Sequence, residues 1–425
     1  MNSGIKYLLS RIGRNFTSLR HYNYRLYWIS QLISVTGTWM QNVALAWLVV
    51  TITGSPVALG TATAFQFLPI LLLSLFAGVI TDRLTKRKII IWTQSLSALQ
   101  AVILWILVAS KVITIFEIYA LSLFIGLINA LDQPARQSFV AEMVPDQDVG
   151  NAIALNSLLF NAARTIGPAI AGVTIVLVGV APAFMINALS FLAIIVALLM
   201  MKKSLLRIST IKIQSNMKEG LKEGVAFAMN EPAILSILIV LIFLGTFGYN
   251  FSTILPLIAK YVLHGGPEVF GAVTSALGIG SMIGALLVAG RQKPTRRFIY
   301  TYATIFSVID IGISLSRTYE LTLILIVGLG VASIAYIAST NTSLQMNSPP
   351  ELRGRIMGLY VAIFAGSTPI GALFTGFMAD WIGTAPMIFT EGIICLVGVG
   401  SGILYLRRKL SMLRRRDLGE ITETG

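Results

Sequence analysis

The chain has 425 residues, 56% hydrophobic and only 12% charged, yet it carries a formal net charge of +14. A soluble protein this basic would meet nucleic acid, because phosphate neutralisation uses clustered Lys and Arg; apolar segments of ~20 residues recurring along the chain exclude that and point to a membrane protein. The single cysteine, Cys395, excludes an internal disulfide or a cysteine-based metal site, and His21 and His264 lie too far apart in sequence to found a metal centre, so no metal and no cofactor is expected.

Residues 1–25 form a basic arm without the long apolar core and small-residue cleavage site of a signal peptide, and read as a cytoplasmic arm on the membrane surface. Six apolar runs follow in an N-terminal half spanning 26–201, at about 26–50, 58–80, 89–109, 115–139, 152–178 and 182–201. A polar middle loop, 202–232, separates them from a C-terminal half spanning 233–406, with runs at about 233–255, 270–290, 298–315, 321–345, 356–379 and 386–406. A basic tail, 407–425, ends the chain. Within the loop, "MKEGLKEGVAFAMN" sets apolar residues on one helical face and charges opposite, the pattern of a short interfacial helix or of a solvated linker. The expected fold is an all-α integral membrane protein with twelve transmembrane helices.

An even number of spans puts both termini on one side. If that side is the cytoplasm, 28 of the 32 Lys and Arg fall in cytoplasmic segments, only Lys111, Lys260 and Arg317 fall on the other face, and Arg164 lies inside a span. The positive-inside rule therefore sets the termini and the middle loop inside, in a bacterial-type cytoplasmic (inner) membrane.

The halves repeat. An offset of 204 residues aligns Pro145 with Pro349, Gly150 with Gly354, Leu155 with Leu359, Gly167 with Gly371, Gly172 with Gly376, Gly179 with Gly383, and Ala181-Pro182 with Ala385-Pro386. Spans five and six thus recur as eleven and twelve. Two pseudo-symmetric six-helix halves related by an axis along the membrane normal would enclose a site near the midplane and expose it to each side in turn.

Between spans two and three stands "GVITDRLTKRK", one acid among four bases. Bases there serve topology, but an acid adds nothing to positive-inside orientation. With twelve spans in two halves, this loop resembles the acid-base motif of the major facilitator superfamily through Gly78, Asp82, Arg83, Lys86 and Arg87, Thr85 replacing a usual glycine. "NAARTIGPAIAGV" resembles the superfamily's antiporter motif through Arg164, Gly167, Pro168 and Gly172, with Ala163 and Ala171 replacing two glycines. "ALDQPARQSFVAEMVP" is similar to the branch holding siderophore exporters and macrolide efflux proteins. The resemblance implies the major facilitator fold and a conformational latch: Asp82 facing the start of span eleven, with the bases and Arg136 around it, the plain alternative being a helix cap.

Four ionisable residues stand inside spans, where each costs ~3 kcal/mol on insertion scales and is a functional candidate by default. Asp132 lies on span four, with Arg136 one turn further on the same face and Pro134 between them. It reads either as a proton carrier, since desolvation and a nearby arginine act oppositely on a carboxyl, or as half of a structural ion pair anchoring span four to span five or two. Arg164 cannot lose its charge; it needs an acid, Asp132 being nearest by depth, a dipole or an anionic substrate. Asp310 on span nine and Glu391 on span twelve are further proton-coupling candidates. Gln41, Asn42, Gln66, Asn161, Tyr249, Asn250, Asn341 and Gln345 are candidates to line a substrate cavity, against the plainer role of helix-packing glue.

The sequence contains no Walker-type loop for direct ATP use and no cluster of His, Cys or acids at catalytic spacing, so an enzyme is not expected. The reading is a monomeric secondary exporter of an amphipathic small molecule, drug or antibiotic-like, working by proton antiport with the lipid bilayer as surroundings and no nucleic-acid partner. Siderophore export or lysolipid flipping is the alternative on the same scaffold, and a non-transporting sensor or scaffold the alternative of another class.

Overall fold

The structure, a computed structural model, describes residues 16–207, 217–289 and 294–423. Twelve helices in it are long and apolar enough to cross a membrane. We number them α1 (Tyr22–Thr53), α2 (Pro56–Arg83), α3 (Lys86–Ala109), α4 (Ile115–Glu142), α5 (Asp146–Val178), α6 (Ala181–Met200), α7 (Pro232–Val262), α8 (Pro267–Ala289), α9 (Arg296–Leu315), α10 (Tyr319–Met346), α11 (Pro350–Ile382) and α12 (Thr384–Glu423). The amphipathic loop segment forms a helix, Met217–Asn230. Helices suit hydrocarbon because each backbone N–H and C=O finds its partner within the segment. The surface agrees: Trp381, Phe116, Leu286, Leu177 and Trp92 are 70–80% exposed, a belt that water would not tolerate and lipid favours.

Contacts divide the chain into two units: residues 1–54, 65–212 and 265–275, and residues 55–64, 213–264 and 276–425. Inside the first, α6 packs on α1 and α3, α3 on α4, and α1 on α5; inside the second, α12 packs on α7 and α9, α9 on α10, and α7 on α11. The pairing is the same once six is added to each helix number. The repeat is also visible in lengths. Helices α5 and α11 each run 33 residues, and their ends differ by the same 204-residue offset. Gly179 (φ 87°) and Gly383 (φ 89°) stop them, a backbone setting that a Cβ would strain.

Small residues set the tightest crossings. In the first unit, a Cβ on Gly172 of α5 would stand 3.3 Å from the Gly271 Cα of α8; in the second, a Cβ on Gly60 of α2 would stand 3.1 Å from the Gly376 Cα of α11. Such close backbone approach is how helices attract one another where no hydrophobic effect operates. At the end of the first unit that carries Lys86, Tyr24, Tyr27, Ile90, Phe139, Ile194 and Leu198 form a buried cluster. Its polar tips are satisfied across helices: Tyr24 Oη donates to the Ala152 carbonyl at 2.8 Å and Trp28 Nε1 to the Leu155 carbonyl at 3.0 Å.

Two helices carry irregularities that bear on function. α4 runs unbroken through Pro134, so the disturbance expected there does not interrupt the helix. α7 is the broken one. It changes from α to π geometry at Leu244–Gly248, leaves helical geometry at Tyr249 and Asn250, resumes at Phe251–Leu257 and ends in a second π stretch, Ile258–Val262. Phe306 of α9 packs on the break, its ring stacked on Tyr249 at 5.3 Å with an interplanar angle of 3°.

Candidate functional site

The buried charge of the first unit is built on three helices. Asp132 of α4 is 5% exposed. Its Oδ2 accepts a short hydrogen bond from Arg136 Nε, one turn along the same helix. Its Oδ1 accepts from Thr93 Oγ1 of α3 at 2.5 Å and from Gln94 Nε2 at 3.3 Å. Arg136 in turn donates to Gln31 Oε1 of α1, and Ser34 Oγ, also on α1, donates to Gln94 Oε1 at 3.4 Å. The i, i+4 spacing explains why acid and base meet; the amides on α1 and α3 share the charge with neighbouring helices and hold them in register. Gln31 Nε2 is a buried donor without a partner, so the network is not fully satisfied in this arrangement.

A second polar chain lies among the same helices. Gln41 Nε2 donates to Gln100 Oε1 at 2.9 Å, and Asn187 Nδ2 of α6 donates to Gln41 Oε1 at 2.9 Å. Gln41 therefore ties α1 to α3 and α6, the helix-packing role rather than a cavity position. Asp132 is anchored to α1 and α3, not to the fifth or second span expected of a structural pair. Arg164 lies over the Trp39 ring, its Cζ 5.9 Å from the centroid, instead of on Asp132. Pro168 and Gly167 lie buried on α5, and a Cβ on Gly167 would meet Trp39 Cβ at 2.7 Å. The arginine, its aromatic neighbour and the glycine thus form one contact between α5 and α1.

Two of the loop bases, Lys86 and Arg87, are engaged. Lys86 Nζ contacts Glu142 Oε1 of α4 at 2.6 Å, and Arg87 Nε donates to the Leu198 carbonyl of α6 at 2.6 Å. These contacts staple α3 to the ends of α4 and α6. Gly78, Asp82 and Arg83 stand on the last turns of α2, but their side chains fall outside the described residues. In the second unit, Arg355 at the start of α11 pairs with Glu223 of the loop helix.

Of the remaining cavity candidates, Asn42 and Gln66 are half-buried and Asn161 Nδ2 donates to the Ser157 carbonyl at 2.8 Å. Tyr249 Oη donates to the Ser333 carbonyl at 2.6 Å, Asn250 Nδ2 to the Thr246 carbonyl at 2.7 Å, and Gln345 Nε2 to Asn341 Oδ1 at 2.6 Å. Asn250 Oδ1 is buried without a partner. Around Tyr249 gather Phe251, Phe306, Tyr336 and Phe364, with ring centroids 5.3–6.5 Å away. Asp310 and Glu391 are both buried.

The residues that sequence reading missed are Gln31, Thr93, Gln94, Gln100 and Asn187. Their signal was present as amides and hydroxyls inside apolar runs, where a polar group needs a partner.

Among the described residues, twelve membrane-length helices organised as two matching units, with ionisable side chains buried in both, give the architecture of a major facilitator transporter. The sequence model of the family described as transmembrane secretion effector matches residues 14–420, and the chain belongs to that family. It is 25% identical over 393 residues to the staphyloferrin A transporter of Staphylococcus aureus, covering 91% of this chain and 97% of that one. It is 26% identical over 400 residues to the multidrug efflux pump Tap of Mycolicibacterium fortuitum, covering 90% and 95%. With macrolide efflux protein A of Streptococcus pyogenes the identity is 24% over 400 residues, covering 90% and 96%. Among solved structures, a bacterial homologue of the human lysosomal transporter Spinster in an inward-facing, unoccupied conformation superposes with a TM-score of 0.73 at 13% identity, covering 92% of this chain and 98% of that one. A D-xylose–proton symporter superposes with a TM-score of 0.68 at 11% identity, covering 89% and 97%; both likenesses concern the fold. The chain is a multi-pass membrane transporter and not an enzyme.

Proposed function

We propose that this transporter exports an amphipathic small molecule, of drug or antibiotic type, in exchange for protons by alternating access. The observation that carries the reading is the Asp132–Arg136 pair, buried between α1, α3 and α4. A plain structural tie would be cheaper as packed apolar side chains, since burying two charges costs several kcal/mol per ion before their attraction offsets it. A carboxyl in this setting is sensitive to its arginine. Arg136 bridges Asp132 and Gln31, so a helix movement that breaks the bridge changes the charge beside the carboxyl. The aromatic wall around Tyr249 suits an amphipathic guest, and the named efflux relatives support the direction of transport. In this reading the basic loops and both termini face the cytoplasm, the membrane is the bacterial inner membrane, and Asp82 with its neighbouring bases latches the cytoplasmic side.

The test uses full-length protein in proteoliposomes with a trapped pH-sensitive dye. Adding a macrolide under an imposed pH gradient is expected to produce proton movement opposite to the drug. Drug movement without a proton signal contradicts antiport. A second reading, export of a siderophore, draws on the staphyloferrin A transporter relative and on Arg164, a permanent cation half-buried on Trp39 and suited to an anionic guest. Arg164→Gln would then abolish siderophore movement while leaving macrolide movement in place.

A further inference from the structure

The second unit holds two acids that the mechanism above leaves idle. Asp310 of α9 is 2% exposed and Glu391 of α12 is 0% exposed. The two helices touch at that level: a Cβ on Gly392 would stand 2.6 Å from Ile311 Cγ1 and 3.1 Å from the Ser307 carbonyl oxygen. Thr375 of α11 donates to Glu391 Oε1 at 2.5 Å. The other oxygens, Asp310 Oδ2 and Glu391 Oε2, are buried without a hydrogen-bond partner.

No base answers them. Among the described residues, no ion pair reaches either carboxyl. The titratable and charged groups on the packed helices are otherwise engaged or distant. Cys395 points to the Phe243 carbonyl, Tyr300 is bonded to Ser236, Tyr249 to Ser333, and Lys260 lies over the Tyr261 ring. Tyr336 is buried on α10, Asp380 of α11 faces Tyr261, and Arg296 and Arg297 stand in the first turn of α9, about four turns before Asp310.

Carboxylates this dry, with no base beside them, each suffer the full desolvation cost of their charge. A proton on the carboxyl removes that cost and turns an orphan acceptor oxygen into a donor. A metal ion would ask for more ligands than the pair supplies, and the described residues hold no group of three or more His, Cys, Asp or Glu able to bind one.

We propose that Asp310 and Glu391 form a protonation site, a second proton site of the transporter that is separate from Asp132. The proposal rests on the proton-coupled reading above and adds a place for a second proton. The site also stands one turn from the break in α7. Cys395, one turn beyond Glu391, lies 3.9 Å from the Phe243 carbonyl at the head of the π stretch, and a Cβ on Gly248 would stand 3.3 Å from its sulfur. Gain or loss of the proton changes the charge behind the break in α7.

Infrared absorption of the full-length protein in nanodiscs at pH 7 tests this without transport. The expected result is a carboxylic-acid C=O component that shifts in D2O, persists in Asp132→Asn, and is lost in the double variant Asp310→Asn/Glu391→Gln. If the double variant does not fold, Glu391→Gln alone is read, and the component must shift or vanish. The proposal is overturned if the wild type lacks the component, if the acid variants leave it unchanged, or if NaCl removes it where choline chloride does not, which would make the occupant a metal cation. Because the band is read at rest, this outcome stands apart from whether Asp132→Asn stops export.

Discussion

The two units bury acid in opposite ways. In the first, Asp132 has an arginine one turn away and hydrogen bonds from two further helix-borne side chains; in the second, Glu391 has a threonine, and among the described residues neither Asp310 nor Glu391 has a base. The fold repeats, but its electrostatics does not. On the proposed function, the first arrangement ties protonation to the position of one guanidinium, whereas the second holds its proton without a base.

Substitutions that break this contrast fall in a clear order. Arg136→Leu strands Asp132 as an uncompensated buried charge and is expected to cost about 3–5 kcal/mol, read as a large drop in unfolding temperature in detergent. The double variant Asp132→Asn/Arg136→Gln should recover most of it. If Arg136→Leu is as stable as wild type, the ion pair is not what holds α4. Thr375→Val removes the donor to Glu391 and is expected to cost about 1–3 kcal/mol, with a shift of the carboxylic-acid infrared component as its signature; an unchanged spectrum would separate Thr375 from the pair. Gln41→Ala cuts the ties from α1 to α3 and α6 and is expected to cost only about 0.6 kcal/mol, the average for hydrogen bonds between membrane helices. A cost as large as that of Arg136→Leu would mean that the amide chain, not the ion pair, organises the unit.

Much of the fold was legible from residue spacing. Twelve apolar runs became twelve helices, and the glycine and proline anchors of the repeat became the ends of α5 and α11. Periodicity fixes depth, so it placed Asp132, Arg164, Asp310 and Glu391 within spans, and Asp132, Asp310 and Glu391 are buried. It does not fix the direction in which a side chain points around its helix. That is why Arg164 was matched by depth to Asp132 but lies on Trp39, and why Gln41 stays a cavity candidate beside its plainer role as glue until Gln100 and Asn187 are seen beside it. The break in α7 was hidden for another reason: a π stretch at Leu244–Gly248 arises from packing of Phe306 and Gly371 against it, contacts far away in sequence.

The most direct test of the account compares gradient-driven export with substrate counterflow in the same proteoliposomes, for wild type and Asp132→Asn, using a radiolabelled macrolide. The account predicts that the variant loses at least tenfold in the driven mode while still exchanging label for unlabelled drug. Driven export at the wild-type rate in Asp132→Asn would contradict it.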